Sequence, residues 1–361
     1  MNTRNISQAG PCARVLCPPL LALAAGAALM AAPSAFADIG YQFVTVGNPG
    51  NANDTATGSL YGGVSYTYDI GTYDVTLNQY ATFLNAVAQT DTYALYNANM
   101  GTDANIVGIS RSGSSGNYSY AVIGDGQHPV TYVSWFDAAR MANWMQNGQP
   151  GGLGEVVAST EEGAYTLDGA NLGVSISKNG NALYWIPSEN EWYKAAYYDP
   201  TIAGPNKYWT YATRSNNAPG NNATNPTVAN QANYRIGTVY SVTQTSSLGG
   251  VNALTDVGLF SNSASAYSTY DQSGDVNNWN DAVIGSSRGL RGGTWSSLNG
   301  ASGLQSSLRL NATPQSEGSN IGFRLAVPEP GVAVSLIIAG GLLLSRRKRP
   351  SALLAPLPFA L

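Results

Sequence analysis

Three stretches of the chain place apolar residues at the spacing of an α-helix, and each is preceded by a capping box. In the first, "LNQYATFLNAVA", one apolar face is formed by Leu77, Tyr80, Phe83, Leu84 and Val87. The other two helical stretches are "WFDAARMANWMQNG" and "ENEWYKAAYYD". The capping pairs, each three residues apart, are Thr76 with Gln79, Ser134 with Asp137, and Ser188 with Glu191. We therefore predict three amphipathic helices.

The remaining sequence lacks long periodic stretches and is interrupted throughout by glycine, of which the chain has 41. The clearest strand patterns are "YDIGTYDV" at 68–75 and "ALYWIP" at 182–187. "NNAPGNNATNPTVANQANY" at 216–234 shows no packing pattern, and we expect an exposed loop there. The chain is thus predicted to be an α+β protein with much irregular structure.

The first 37 residues have the features of a secretory signal peptide. Arg4 and Arg14 supply positive charge, residues 20–32 form an apolar run, and "AFA" ends at residue 37. We expect cleavage before Asp38, with an uncleaved anchor as the alternative. Both cysteines of the chain, Cys12 and Cys17, lie inside this segment. The mature protein would therefore be exported, free of disulfides and free of thiol chemistry.

The C-terminal end combines a short apolar run with a basic cluster. "VPEP" at 327–330 precedes "GVAVSLIIAGGLLL" and then "SRRKR", which ends at residue 349. This order predicts a short transmembrane helix with a cytoplasmic stop. It resembles the PEP-CTERM sorting signal of Gram-negative bacteria, spanning 327–349. A tail at 350–361 follows, and the pattern assigns it no role.

That resemblance implies a processing partner and a location. An exosortase-type protease would read Pro328, Glu329 and Pro330, and the helix would be a transient or retained membrane anchor. The protein would be carried across the inner membrane to the cell envelope or the extracellular space.

Charge narrows the range of partners. Six of the 17 basic residues and one of the 21 acidic residues lie outside 38–327, which leaves 11 basic against 20 acidic residues and a net charge of −9. Because such a surface repels the phosphate backbone, nucleic acid is not an expected partner.

Five blocks of sequence, in order, resemble the formylglycine-generating enzyme (sulfatase-modifying factor) family over residues 62–326, after an N-terminal segment at 38–61. They are "YDIGTYDVTLNQYATFLNAVA", "HPVTYVSWFDAARMANWM", "YWIPSENEWYKAAYYD", "TYDQSGDVNNWND" and "LRGGTW...LRLNATP...NIGFRLA". The fold that the resemblance implies is an expanded C-type-lectin-like core with little regular secondary structure.

The chemistry of that family rests on two cysteines that hold copper(I). The matching positions here are Ser297 and Ser302. A serine hydroxyl is a hard, neutral oxygen and does not replace a soft thiolate for copper(I). A related branch of the fold binds iron through three histidines, whereas this chain has only His128, in a turn-like "QHPV". We therefore expect no catalytic residue, and either serine would need a nearby base to act as a nucleophile.

A calcium site is implied by the resemblance around the fourth block. The matching ligands would be Asp271, the carbonyls of Gly274 and Val276, and Asn278, all hard oxygen donors. A metal-free, hydrogen-bonded loop is the alternative, and no other cofactor is expected.

The last block contains arginines at family positions, Arg291, Arg309 and Arg324. We expect them to bind loop carbonyls and stack on aromatic rings. In the alternative, Arg309 and Trp295 form the floor of a ligand-binding groove. The tryptophans of the blocks are interpreted as core residues or, alternatively, as platforms for sugars: Trp135, Trp144, Trp192, Trp279 and Trp295.

These observations favour an exported, surface-sorted protein whose family domain is catalytically silent and serves in binding or structure. Exopolysaccharide or another surface protein would be its partner. Two other functions stay open from the sequence: an enzyme of unknown reaction that uses the same groove, and a self-assembling coat protein.

Overall fold

The structure, a computed structural model, describes residues 39–329. The predicted signal peptide, transmembrane segment and tail lie outside these residues. The regular elements are β1 (Phe43–Val46), β2 (Tyr68–Gly71), α1 (Leu77–Val87), α2 (Asn99–Thr102), β3 (Ile109–Ser112), β4 (Ser119–Val122), α3 (Trp135–Gln146), α4 (Glu189–Tyr197), β5 (Asn277–Ile284), β6 (Ser287–Arg291), β7 (Leu310–Ala312), β8 (Ile321–Gly322) and β9 (Ala326–Pro328). Short 3-10 turns at Thr55–Thr57 and Gly300–Leu304 and a π-helical turn at Val157–Glu161 complete the set.

The three predicted helices are confirmed, and each begins at its capping box. Thr76, Ser134 and Ser188 accept the backbone N–H three residues later, and the side chain at that position returns the bond to the cap. Such reciprocal bonds satisfy two of the free donors at a helix start. The predicted apolar face of α1 is buried at all five positions.

The strands form three small sheets. In the first, β2 lies between β1 and β9 and is antiparallel to both, so both ends of the described chain belong to one sheet. β3 and β4 form a hairpin. The third sheet has the order β7-β6-β5-β8, with β5 and β8 parallel. Because β1 belongs to the first sheet, the folded unit extends upstream of residue 62, where we expected the domain to begin.

The strand predicted at 182–187 was wrong in extent, and that predicted at 68–75 ends at Gly71. Within 182–187, Trp185 alone pairs with a neighbour, through two backbone hydrogen bonds to Ala326. Ile186 N–H instead donates to the Tyr165 hydroxyl at 3.0 Å. Since side chains take the backbone donors of this segment, a ladder does not form.

The main core lies between α1, α3 and the first sheet, and it contains most of the buried aromatic residues. All five tryptophans of the family blocks are buried, the most exposed being Trp295 at 7%. Their expected role as core residues is therefore confirmed. Among residues 39–329, no helix is long and apolar enough to cross a membrane.

The stretch from Tyr198 to Val276, all of it described, contains no helix or strand. The Asn-rich part at 216–234 was expected to be exposed, but it contains buried positions. The Asn221 amide donates to the carbonyls of Tyr234 and Val239, and the Asn233 amide donates to Ala253. These asparagines supply the hydrogen bonds that a ladder would otherwise provide, so part of this loop is structural.

Candidate functional site

A groove of about 310 Å³ lies beside the double glycine of the last family block. Its walls come from Gly293, Thr294, residues 296–299, Gly303, Leu308, Leu310, Asn277 and Asn320. The lining side chains are amides, hydroxyls and three leucines, of which Leu298 is 84% exposed. None of these lining residues carries an ionisable side chain. The groove is therefore electrically neutral at its surface.

Gly293 shapes one wall of this groove. Gly293 has a φ of +80°, and a Cβ there would lie 2.6 Å from the carbonyl oxygen of Gly303 and 2.4 Å from Leu304. Its N–H donates to Asn277 Oδ1 at 3.0 Å. Only glycine fits this positive φ and this close approach. The 3-10 turn at 300–304 can therefore pack directly against the β6 end.

Ser297 and Ser302, the serines at the family cysteine positions, lie at this turn. Ser297 lines the groove, and its hydroxyl is 3.4 Å from the carbonyl of Gly300. The exposed Ser302 donates to the carbonyl of Asn299 at 2.7 Å. No base is present among the groove's lining residues, so the arrangement offers no activated nucleophile.

His128 lies elsewhere, beside Asp256, with 3.4 Å between Nε2 and Oδ1. Its carbonyl accepts the Leu77 N–H at the start of α1, as expected of a turn residue. Burial lowers the pKa of the imidazole, although Asp256 and Asp125 act in the opposite direction.

The arginines of the last block hold loops together. Arg324 is completely buried and binds four groups: Asn278 Oδ1, the carbonyls of Gly71 and Tyr270, and Asp74 Oδ1 at 2.6 Å. Arg291 binds the carbonyls of Ser306 and Leu308 and a carboxylate oxygen of Glu189. The structural role expected for these two arginines is confirmed.

Arg309 shares the same carboxylate. It binds both oxygens of Glu189, and its guanidinium lies 5.3 Å from the centre of the Tyr61 ring. Arg309 is not part of the neutral groove described above. Its side chain remains 32% exposed, and its partner Glu189 lines a second cleft together with Tyr61.

Trp295 does not lie on the groove floor either. Its ring packs in a small buried cluster with Leu254 and Val276, and its Nε1 donates to the carbonyl of Ser319 at 3.1 Å. The structure therefore does not bring Trp295 and Arg309 together in one open site, and a ligand-binding role for them stays a prediction.

The two side chains of the predicted calcium site, Asp271 and Asn278, have other partners in the structure. Asp271 accepts the Gly258 N–H at 2.7 Å. The Asn278 oxygen accepts from Trp192 and from Arg324, so a cationic donor already occupies it. Among the residues described, no group of three or more His, Cys, Asp or Glu side chains is arranged to hold a metal.

Asp275, which the sequence reasoning did not single out, is the more deeply buried carboxylate of this loop. It accepts from the Asn233 amide at 2.9 Å and the Thr255 hydroxyl at 2.8 Å. Burial, reinforced by nearby Asp271, raises its pKa well above the usual range. Its position directly after Gly274 in the fourth block was the available signal.

The chain is similar to several solved structures. A search of curated proteins found no match. Among solved structures, the chain is similar to the crystal structure of CarF, with 20% identity over 80% of this chain and 99% of that one and a TM-score of 0.47. It is similar to Treponema denticola variable protein 1, with 16% identity, coverages of 81% and 97%, and a TM-score of 0.43. It is also similar to PvdO from Pseudomonas aeruginosa, with 17% identity, coverages of 80% and 92%, and a TM-score of 0.36.

The family model for the sulfatase-modifying factor enzyme 1-like domain matches residues 55–328, which is most of the chain. The match includes the capped helices, the groove and the buried arginines described above. This chain belongs to the family of sulfatase-modifying factor enzyme 1-like domains.

Proposed function

We propose that this protein is an exported binding module of the cell envelope or extracellular matrix, and that it does not carry out the copper-dependent oxidation of its family. The observation that carries the proposal is the chemistry of the groove. Its lining is uncharged, and Ser297 stands where the family has a cysteine. Soft thiolates select copper(I), and the only cysteines of the chain lie at positions 12 and 17.

The groove suits an uncharged partner. Asn277, Thr294 and Asn320 supply amide and hydroxyl groups, and Leu308 and Leu310 supply apolar contact. Such a mixture of apolar surface with a few polar groups is typical of sites that bind neutral ligands. We propose that an exopolysaccharide or a neutral patch of another surface protein docks here, with the exposed Leu298 as its first apolar contact.

The remaining parts of the proposal rest on the sequence. Residues 1–37 direct export, and the resemblance of 327–349 to a PEP-CTERM signal supports sorting by an exosortase-type protease at Pro328, Glu329 and Pro330. The fold is proposed to be the expanded C-type-lectin-like version of the family architecture. Calcium at Asp271 and its neighbours is kept as a subsidiary hypothesis, for which Asn278 would first have to release Arg324.

The test measures copper and turnover in the same experiment. The purified full chain is titrated with copper(I) and incubated with a cysteine-containing peptide under oxygen. We expect neither stoichiometric copper binding nor a formylglycine product. The matched control is the double variant Ser297→Cys with Ser302→Cys, which restores the family ligands in the same loop and should gain copper(I) affinity. Turnover by the unmodified chain would refute the proposal and establish an enzyme.

A second measurement tests binding directly. The full chain is mixed with exopolysaccharide purified from the producing cells, and cosedimentation is compared with that of the Leu298→Asp variant. We expect the variant to lose most of the binding, because it places a charge in a neutral groove. Equal cosedimentation of both proteins would exclude the groove as the docking surface. Self-assembly without a ligand would indicate a coat protein.

A further inference from the structure

A further cavity, of about 430 Å³, shares no lining residue with the groove or with the cleft at Glu189. Its walls come from four separate parts of the chain: residues 40–42, residues 73–79, Gln127 and Val257. The first sheet and the start of α1 fix these segments relative to one another. Its volume falls in the range of roughly 300 to 1,000 Å³ that is usual for small-molecule sites.

Several polar side chains at this cavity form no hydrogen bond within the described residues. The side-chain amides of Gln42, Asn78 and Gln127 line it, and none of them forms a hydrogen bond with any residue in 39–329. The Tyr73 hydroxyl also has no partner in that range. By contrast, the amide of the buried Asn143 forms three hydrogen bonds within the protein. Because these amides are exposed, water satisfies them in the free protein and they are available to a ligand in the cavity.

Asp74 adds a buried group to the same wall. Its side chain is inaccessible, and Oδ1 pairs with Arg324 at 2.6 Å. Oδ2 has no hydrogen-bond partner within the described chain. An unsatisfied carboxylate oxygen at this depth is costly unless a donor reaches it. Because this oxygen is inaccessible, a ligand in the cavity would contact the exposed lining groups instead.

The charge balance of the cavity favours a neutral ligand. Asp74 is the only ionised group among the lining residues, and Arg324 behind it already compensates its charge. No lysine or arginine lines the cavity, so an anion would find no counter-charge there. A cation would find only a carboxylate that is already paired.

The aromatic wall is rigid. The Tyr73 ring stacks on Tyr270 with 5.4 Å between centroids and an interplanar angle of 28°. It lies against Gly258, where a Cβ would approach Tyr73 Cε1 to 2.5 Å at a φ of +74°. Tyr41 donates its hydroxyl proton to the Tyr73 carbonyl at 2.9 Å. The wall is thus preformed, which lowers the entropy cost of binding.

We propose that this cavity binds a sugar unit of a neutral glycan. Each free amide presents a donor and an acceptor side by side, which matches a pair of neighbouring hydroxyls. Tyrosine combines an apolar ring face with a polar tip and so fits the C–H face and the hydroxyls of a sugar ring together. The inference goes beyond the groove-binding function, because it uses a separate site.

The test is calorimetric titration of the full chain with four tetrasaccharides. Three are neutral, namely cellotetraose, maltotetraose and N-acetylchitotetraose, and one is acidic, tetragalacturonate. We expect saturable binding of at least one neutral sugar and none of the acidic one. Asn78→Ala and Gln127→Ala should each weaken that binding about 5-fold, as the loss of one hydrogen bond predicts. Both side chains are exposed and unbonded, so these variants should remain folded.

The matched control is Gln315→Ala, another exposed amide, which lies outside the cavity and should leave the affinity unchanged. Failure of all three neutral sugars to bind would overturn the proposal, and so would full affinity in the Asn78→Ala and Gln127→Ala variants. If Leu298→Asp alone abolished binding, the sugar would belong to the groove. That result would support the proposed function while refuting the second site.

Discussion

The region around α1 and α3 and the segment from Tyr270 to Ala326, called the irregular segment because long loops join its short strands, are stabilised by different means. The helices satisfy their own backbone groups, and α1 buries an apolar face. In the irregular segment, loop carbonyls are instead bound by arginines of the same segment: Arg291 binds those of Ser306 and Leu308, and Arg324 binds that of Tyr270. Where the backbone does not pair with itself, buried side chains must supply the donors.

Arginine suits this task better than lysine. Its guanidinium has five N–H donors in a fixed plane, which allows Arg324 to join β2, the loop at Tyr270 and β5 at once. Each of these arginines also has a carboxylate partner, Asp74 for Arg324 and Glu189 for Arg291. The charge is thereby compensated inside the protein.

The comparison predicts that the largest loss of stability will come from an arginine. Arg324→Ala removes four hydrogen bonds and leaves Asp74 buried without its partner. We expect the free energy of unfolding to fall by about 4 kcal/mol, as is typical when one member of a buried ion pair is deleted. Urea denaturation followed by tryptophan fluorescence measures this change.

The control is Arg214→Ala. Arg214 also pairs with an aspartate, Asp199 at 3.1 Å, but its side chain is 51% exposed. We expect a loss of no more than about 1 kcal/mol, since solvent screens such a pair. Similar losses in the two variants would show that burial of the guanidinium is not what stabilises the irregular segment.

A core leucine of the helical region should rank second. Leu84, on the apolar face of α1, is fully buried, and Leu84→Ala is expected to cost about 3 kcal/mol through lost burial and the remaining cavity. Leu298→Ala serves as the control, because Leu298 is 84% exposed and should change stability very little. A Leu84→Ala loss larger than that of Arg324→Ala would reverse the comparison.

The difference between helices that satisfy their own backbone and a segment held together by side chains also explains which elements could be predicted from the sequence. Helix starts are local signals, and Thr76, Ser134 and Ser188 marked all three. The hairpin of β5 and β6 was missed, because β5 begins with the buried asparagines Asn277 and Asn278 in place of alternating apolar residues. A period-of-two pattern cannot reveal a strand whose buried face is polar.

The groove and the proposed glycan cavity also differ in how far the sequence could reveal them. Part of the groove wall follows the double glycine at Gly292 and Gly293, but Trp295 and Arg309, the residues predicted for its floor, do not line it. The neutral-glycan cavity could not be located from the sequence, since Gln42, Asn78 and Gln127 are distant in sequence and only the first sheet and α1 bring them together. Trp295 shows the limit of composition, because a tryptophan in a core and one on a binding surface look alike in sequence.

The smallest predicted effect concerns a polar residue buried within the helical region. Asp137 accepts the Ser134 N–H at 2.7 Å in the capping box of α3 and is 2% exposed. Burial, with a further contribution from Glu317, raises its pKa to about 7, well above the ordinary value of 3.8. Between these two values the folded state holds a proton that the unfolded chain has lost. The contribution of Asp137 to stability therefore decreases as pH rises from about 4 to about 7.

Asp137→Asn tests this, because the asparagine oxygen can still accept from Ser134 and cannot ionise. Relative to the unmodified protein, the variant should gain about 1 kcal/mol or more of unfolding free energy between pH 4.5 and pH 7.5. Urea titrations at a series of pH values measure the difference, and Asp168→Asn, at an exposed aspartate, provides the baseline. The same pH dependence in both variants would show that Asp137 does not titrate near neutrality in the folded protein. The helical region would then differ from the irregular segment only in burying apolar rather than polar side chains.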